Sequence, residues 1–137
     1  MKLTFSRLAV GLICVAAGSG AMAFTQAKDT AFLESIQRGM WQLRALNGGS
    51  SNIPASQICL GSPDYLVQMQ HGSAGCEQYL VRSTPNSVTI SYSCKGKGQG
   101  LTTVRKESAR LLQIQSQGIR NNAPFSFVAE ARFAGSC

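Results

Sequence analysis

Residues 76–94, CEQYLVRSTPNSVTISYSC, decide the fold of this chain, because they have the pattern of a β-hairpin with a cysteine at each outer end. Strand-forming residues lie on both sides of residues 83–87, STPNS, which are a cluster of turn formers. If the turn is centred on Pro85, Cys76 falls opposite Cys94, and cross-strand neighbours are close enough to form a disulfide. The sequence therefore predicts a hairpin that carries its own disulfide.

The segments around this hairpin alternate between apolar and polar residues, which is typical of antiparallel strands with one buried and one solvent-exposed face. A short helix is predicted at residues 64–70, where Ser62 can cap it and Pro63 suits its first position. We expect a mostly β fold with two disulfides, in which a single antiparallel sheet forms a curved meander or a partial barrel. Further strands are predicted at residues 40–46, 56–60, 101–106, 109–117 and 125–133, turns at 95–100, 107–108 and 118–122, and a loop at 47–52.

The first 23 residues have the pattern of an export signal. Lys2 and Arg7 precede an apolar run over residues 8–17, and residues 21–23, Ala-Met-Ala, offer the small side chains that a signal peptidase reads. An uncleaved anchor helix is the alternative, but the apolar run is short for a membrane span and is followed by glycines. We expect cleavage after Ala23.

Beyond the signal, the chain is long enough for one domain and too short for two. Residues 24–37 form an N-terminal segment whose apolar spacing permits a short helix. The disulfide-stapled β domain is expected over residues 38–137.

Four cysteines remain once Cys14 is removed with the signal, and an even number in an exported chain predicts two disulfides. The hairpin register pairs Cys76 with Cys94, which leaves Cys59 for Cys137. Pairing Cys59 with Cys76 is the alternative, but that bridge has to close around the predicted short helix. With no CxxC pair and a single histidine, we expect neither a zinc site nor a redox pair, and no cofactor.

The chain has 13 Lys and Arg against 6 Asp and Glu, a formal net charge of +7. In a meander, this charge is divided between the two ends of the sheet, and no aromatic residues are interleaved with it, so nucleic-acid binding is not expected. The charge is ordinary for a secreted protein and also favours contact with anionic surfaces. The basic residues predicted at one end are Lys95, Lys97 and Arg120, and those at the other are Arg82, Arg105, Lys106 and Arg110.

Several motifs together resemble the domain-of-unknown-function family 3617, a periplasmic family of proteobacteria. They are a "GxW" opening at residues 38–41 (RGMW), a first cysteine at 57–60 (QICL) before Ser62-Pro63, the cysteine hairpin with NSVTI at 86–90, and a closing "R-x-x-G-x-C" at 132–137 (RFAGSC). The resemblance covers about residues 38–137, and Arg38 departs from it, because the family usually has proline there. It implies a mostly β fold and a periplasmic location, and it brings no biochemical activity.

Enzymatic chemistry is not predicted. The single histidine, His71, lies in a Gly/Ser-rich loop, where Ser73 or Asp64 could complete a triad, but no nucleophile elbow or oxyanion loop accompanies them. We therefore expect a solvent-exposed loop histidine. The carboxylates are scattered, and the glycines of residues 95–100, KGKGQG, lack Walker spacing and fit a hairpin turn.

Two classes of function remain. The first is a small non-catalytic binding module for an apolar or lipid-like ligand, although core packing is the simpler explanation of its candidate lining residues. The second is an envelope interaction or structural protein that contacts a protein partner or an anionic surface. An open apolar pocket would favour the first and a filled core the second; a monomer is expected in either case. The candidate lining residues are Trp41, Tyr79, Tyr92, Phe125 and Phe127.

Overall fold

The computed structural model describes residues 30–46, 53, 56–72 and 75–137. The predicted export signal, the start of the N-terminal segment and the predicted loop at residues 47–52 lie outside this part of the chain. None of the helices within the described ranges has the length and apolar character needed to span a membrane.

One antiparallel sheet of seven strands dominates the described structure, as the alternating pattern predicts. Its order is β2-β1-β7-β6-β5-β4-β3. Strands β3 to β7 therefore form a meander, and the last strand, β7, pairs with β1. The sheet is open, and β2 and β3 are its edge strands. The strands are β1 (Gly39–Ala45), β2 (Gln57–Leu60), β3 (Glu77–Thr84), β4 (Ser87–Cys94), β5 (Gly98–Ser108), β6 (Leu111–Arg120) and β7 (Ala123–Gly135).

Short helices cover one face of this sheet. The helix α1 spans Thr30–Glu34, and two 3-10 helices span Pro63–Leu66 and Met69–His71 where a single helix at 64–70 is predicted. The side chain of Ser62 makes no capping hydrogen bond. Every residue from 66 to 71 is buried, so this segment has no solvent-facing side of the kind that a surface α-helix presents.

Alternate residues of each strand project to opposite faces of the sheet. We call the face beneath α1 and the 3-10 helices the inner face and the opposite one the outer face. The inner face forms the core with Phe32, Leu33 and Ile36 around α1 and with Leu66, Val67 and Met69 around the 3-10 helices. No element of the described chain packs on the outer face. The core residues on the strands include Trp41, Leu43, Ile58, Leu60, Val88, Ile90, Tyr92, Val104, Leu112, Ile114, Phe125, Phe127, Ala129 and Ala131.

A disulfide holds each edge strand. Cys59 of β2 is bonded to Cys137 beyond the end of β7, with 5.7 Å between their Cα atoms. Cys76, directly before β3, is bonded to Cys94 at the end of β4, with 4.3 Å between their Cα atoms. This is the pairing that the hairpin register predicts.

The hairpin reaches its disulfide by a different register from the predicted one. A two-residue turn closes it, so its centre lies just after Pro85. Continued without interruption, that register would place Lys95 opposite Cys76. A β-bulge at Val81 shifts the pairing by one residue and brings Cys94 opposite instead.

Three other turns also differ from prediction, and the first spans only residues 95–97, because β5 begins at Gly98. β5 continues to Ser108, and the turn to β6 lies at residues 109–110. The next turn consists of Asn121 and Asn122 alone, which have φ angles of 50° and 63° and fit a tight type I′ hairpin. Gly118 lies inside β6, where an added Cβ would collide with the carbonyl of Gln99, so it permits close pairing with β5.

Two of the motifs that carry the family resemblance meet at one corner of the sheet. The rings of Trp41 and Phe133 make an edge-to-face contact with centroids 5.4 Å apart, and the Trp41 indole donates a hydrogen bond of 2.9 Å to the carbonyl of Gln37. Gly39 has a φ of 138°, and an added Cβ would collide with the carbonyl of Gly135. These residues close the pairing of β1 with β7, which is a structural role.

Candidate binding groove on the outer face

Of the five predicted lining aromatics, Tyr79, Tyr92 and Phe125 line one hollow, described below, and Trp41 and Phe127 do not line it. Trp41, Tyr92, Phe125 and Phe127 are buried in the core, because the two-residue alternation places them on the inner face beneath the helices. Only Tyr79 projects from the outer face, and it is 50% exposed. Core packing accounts for the burial of the other four, and the ligand-lining role of the five stays a prediction.

His71 is buried, which contradicts the predicted solvent-exposed loop position. The second 3-10 helix folds back over the end of the sheet and places the ring edge-on to Tyr92 and Phe125. His71 Nε2 lies 3.2 Å from the carbonyl of Ile119, and Nδ1 lies 3.2 Å from the Tyr92 hydroxyl. A carbonyl oxygen can only accept a hydrogen bond, so a neutral His71 ring donates from Nε2 to the Ile119 carbonyl. Its Nδ1 then accepts a hydrogen bond from the Tyr92 hydroxyl.

This hydrogen bonding leaves His71 unsuited to a triad. Both ring nitrogens are engaged by a carbonyl and a phenol, and Asp64 is neither of those partners. Ser73 lies outside the described residues. The histidine therefore links the second 3-10 helix to the end of the sheet. Its ring lies over Gly98, where an added Cβ would lie 3.0 Å from Nε2.

A second group of buried polar side chains links the segment between the two 3-10 helices to the sheet. The Thr102 hydroxyl donates to the carbonyl of Val67 at 2.6 Å and lies 2.7 Å from the Ser116 hydroxyl. Burial raises the pKa of Tyr92 to about 12, and a hydrogen bond with Ser116 opposes that shift. These buried hydroxyls are satisfied within the protein, as stable packing requires.

Glu107 and Glu130 are engaged by arginines. Glu130 Oε1 accepts from Arg132 Nε at 2.7 Å and from Arg44 at 3.3 Å, and Glu107 pairs with Arg105. Within the described ranges, no group of three or more His, Cys, Asp or Glu side chains is arranged to hold a metal ion.

The outer face carries a hollow of about 600 Å³, which we call the neutral groove. The described residues that line it carry no charge, although the whole chain has a net charge of +7. Tyr92, Phe125, Gly100 and Gly118 contribute to its floor. The side chains that face it are those of Tyr79, Ser91, Ser93, Gln99, Leu101, Gln117, Ile119 and Ser126.

Strand register arranges these side chains in two rows that run across the strands. In the first row, Tyr79 of β3 lies opposite Ser91 of β4, Ser91 opposite Leu101 of β5, Leu101 opposite Gln117 of β6, and Gln117 opposite Ser126 of β7. The second row contains Ser93, Gln99 and Ile119, and Glu77 of β3, which lies opposite Ser93, continues it beyond the groove lining. Each row repeats at the strand spacing of about 4.8 Å.

The polar side chains of the groove make no hydrogen bond to any described residue. These five are Ser91, Ser93, Gln99, Gln117 and Ser126. The next row along the same face differs, since the hydroxyls of Thr89 and Thr103 are 2.9 Å apart and bond to each other. The groove therefore holds uncharged hydrogen-bonding groups that are available to a ligand.

Tyr79 stands at one end of the groove in a fixed position. Its hydroxyl donates a 2.8 Å hydrogen bond to Glu77 Oε2, two residues earlier on the same face of β3. This hydrogen bond and the carboxylate charge raise the pKa of Tyr79 above its ordinary value. With Leu101 and Ile119, which are 36% and 38% exposed, Tyr79 supplies the apolar surface of the groove.

A second hollow of about 670 Å³ lies where β1 and β2 meet β7. Arg44 and Arg132 line it, and both donate to Glu130. Gln42 and Gln57 complete its polar rim. We call it the arginine corner; its charges are already partnered within the protein.

Among the described residues, the basic side chains predicted at the two ends of the sheet lie there, including Arg82 beside the β3–β4 turn. Lys95 and Lys97 occupy the turn between β4 and β5, and Arg120 precedes the turn between β6 and β7. The Asn121 backbone N–H donates to the carbonyl of Lys97 at 3.0 Å, which joins the two turns. Arg105, Lys106 and the exposed Arg110 lie at the opposite end.

Comparison with known proteins adds no relative to this picture, because no family model, curated protein or solved structure matches the chain. Any function has to be argued from the groove and its surroundings. The alternation of the strands predicts a solvent-exposed face for the polar groove residues. Aligning the strands through each hairpin turn would have placed them in shared rows.

Proposed function

We propose that this protein is an exported, non-catalytic binding module of the bacterial periplasm, and that it binds its ligand on the outer face of the sheet, in the neutral groove. One observation carries the proposal. Five uncharged hydrogen-bonding side chains without a partner among the described residues share one hollow with three exposed apolar side chains. Such a mixture of apolar contact with a few polar groups is typical of ligand sites.

The filled inner face changes the kind of ligand that we propose. The core aromatics pack against helices and one another, so they do not surround an apolar or lipid-like molecule on the inner face. The neutral groove instead offers hydrogen-bonding groups beside apolar surface. The ligand is therefore one that has polar groups as well as apolar faces.

The non-catalytic assignment has support from the site chemistry. His71 is held by Tyr92 and a carbonyl, and Glu130 is shared by two arginines. A general acid or base needs access to its substrate, and His71 is buried on the other side of the sheet from the groove. The proposed location has support from the predicted signal, the two disulfides and the family resemblance.

Methyl NMR tests the proposal, because the groove and the core contain the same residue types. The methyl groups of Leu101 and Ile119 report on the groove, and those of Leu112 and Ile114 report on the inner face. On titration with fractions of periplasmic extract, we expect a component to shift the first pair and leave the second unchanged. Shifts confined to the core pair, or none with any fraction, would contradict the proposal.

A second function is favoured by the three cations joined at one end of the sheet, which could contact an anionic surface. Lys95, Lys97 and Arg120 are exposed and make no ion pair with a described residue. Sedimentation with phosphatidylglycerol vesicles, against neutral phosphatidylcholine vesicles, tests it. Replacing all three cations with alanine should abolish salt-sensitive binding, and unchanged binding by that variant would exclude this end as the contact.

A further inference from the structure

We propose that the ligand of the neutral groove is an uncharged oligosaccharide that lies across the strands. This inference rests on the proposed function and names the class of ligand. It is argued from the charge of the groove, the chemistry of its side chains and the spacing of its rows.

Charge excludes the more obvious ligands of a basic protein. The chain has a net charge of +7, yet the described residues lining this hollow are uncharged, and Glu77 beside it, opposite Ser93, accepts a hydrogen bond from Tyr79. A phosphate or carboxylate ligand would gain more from the cations at the sheet ends than from the groove. The groove therefore fits a ligand that has no charge to neutralise.

The side chains match the two kinds of surface on a sugar. A sugar hydroxyl both donates and accepts hydrogen bonds, and so do a serine hydroxyl and, through its two ends, a glutamine amide. Gln99 and Gln117 offer such amides from neighbouring strands. The C–H face of a pyranose needs apolar contact, which the ring of Tyr79 and the side chain of Leu101 supply.

Tyr79 is prepared for this contact. The bond from its hydroxyl to Glu77 restrains the ring along the strand, so less side-chain freedom is lost when a ligand binds. The hydroxyl is already occupied, which leaves the ring to act as apolar surface.

Spacing favours a glycan over a peptide. The groove side chains repeat across strands at about 4.8 Å, which is close to the length of one pyranose unit in an extended glycan. An extended peptide advances about 3.4 Å per residue and does not match this repeat. The groove is also rich in serine, whereas the centres of protein interfaces are depleted in serine and enriched in arginine and aromatic residues.

Isothermal titration calorimetry with neutral hexasaccharides tests the inference. The probes are linear hexamers of glucose, both α- and β-1,4-linked, and of N-acetylglucosamine, with polygalacturonate as the charged comparison. We expect at least one neutral hexamer to bind with a Kd below about 1 mM. Gln117→Ala and Tyr79→Ala should each weaken binding by about tenfold, equivalent to one strong contact.

Gln115→Ala is the matched control, because Gln115 lies on the same strand and face as Gln117 but outside the groove. Its affinity should equal that of the unchanged protein. Binding unaffected by Gln117→Ala and Tyr79→Ala, or preferential binding of polygalacturonate, would overturn the inference.

The two proposals fail separately. If no neutral hexamer binds while an extract component shifts the Leu101 and Ile119 methyl groups, the glycan inference is wrong and the binding module stands. If a hexamer binds but shifts neither methyl group, its site is elsewhere and the glycan inference for the groove is wrong. If neither experiment shows binding at the groove, both proposals are wrong.

Discussion

The two faces of the sheet belong to the same strands but use their polar groups in opposite ways. On the inner face, buried polar groups such as His71 and Thr102 bond within the protein and fasten the helical cover. In the groove on the outer face, the side chains of Ser91, Ser93, Gln99, Gln117 and Ser126 have no partner among the described residues, although Tyr79 and polar groups elsewhere on that face do. If the groove binds a ligand as proposed, a change on the inner face should affect stability and leave binding intact, and a change in the groove should do the reverse.

The largest expected effect on stability comes from the two disulfides, each of which holds one edge strand of the sheet. In the chain-entropy model, the Cys59–Cys137 bridge contributes about 4.5 kcal/mol and the shorter Cys76–Cys94 bridge about 3 kcal/mol. Replacing both cysteines of a bridge with serine should lower the free energy of unfolding, more for Cys59–Cys137 than for Cys76–Cys94, as measured by urea denaturation. A variant as stable as the unchanged protein would show that its edge is held by other contacts.

The next largest effect concerns the hydrogen bonds by which His71 links its 3-10 helix to the sheet. His71→Ala removes two hydrogen bonds, to the buried hydroxyl of Tyr92 and to the partly buried carbonyl of Ile119, so we expect a loss of about 1–3 kcal/mol in unfolding free energy. Lys97→Ala, at the exposed turn nearby, is the control and should change stability by less than about 0.5 kcal/mol. If the two variants were equally stable, His71 would be the exposed histidine that the sequence predicts.

The buried phenol predicts a dependence of stability on alkaline pH. Folding raises the pKa of Tyr92 from its ordinary value of 10.0 to about 12, so the folded protein favours the neutral phenol. This contribution is fully present below pH 10 and is lost as the pH rises through 12, with a size of up to about 2 kcal/mol. Urea denaturation of the protein and of Tyr92→Phe across pH 9–12 measures it; equal slopes for the two would contradict the burial of this hydroxyl.

The smallest stability effects are expected on the outer face. Gln117→Ala and Gln115→Ala should each change the free energy of unfolding by less than about 0.5 kcal/mol, because neither side chain has a partner to lose. Losses above about 1 kcal/mol, or losses that grow with protein concentration, would indicate that this face is covered by a second molecule.

The strand pattern allowed much of the fold to be predicted. Alternation placed Phe125 and Phe127 on one face and Ser126 on the other, and the hairpin identified the cysteine pairing. These features depend on local periodicity and on register, which short-range residue patterns encode.

Other features depend on contacts between distant segments. The burial of His71 requires its 3-10 helix to reach Ile119 and Tyr92, 48 and 21 residues away. The bulge at Val81 is visible only once the two-residue turn and the disulfide are both known. The groove escaped prediction because serine and glutamine on a solvated strand face look alike whether or not they share a hollow.

One pair of variants tests the separation of the two faces most directly. Ile114 and Ile119 are on the same strand, β6; Ile114 is fully buried on the inner face and Ile119 lines the groove. We expect Ile114→Ala to lower the free energy of unfolding by about 2–5 kcal/mol and to keep the groove's affinity for its ligand. Ile119→Ala should cost less than about 1 kcal/mol and weaken binding of the same ligand, measured by calorimetry. If both variants lost stability equally, or if Ile114→Ala alone lost binding while still folded, the two faces would not divide stability from binding.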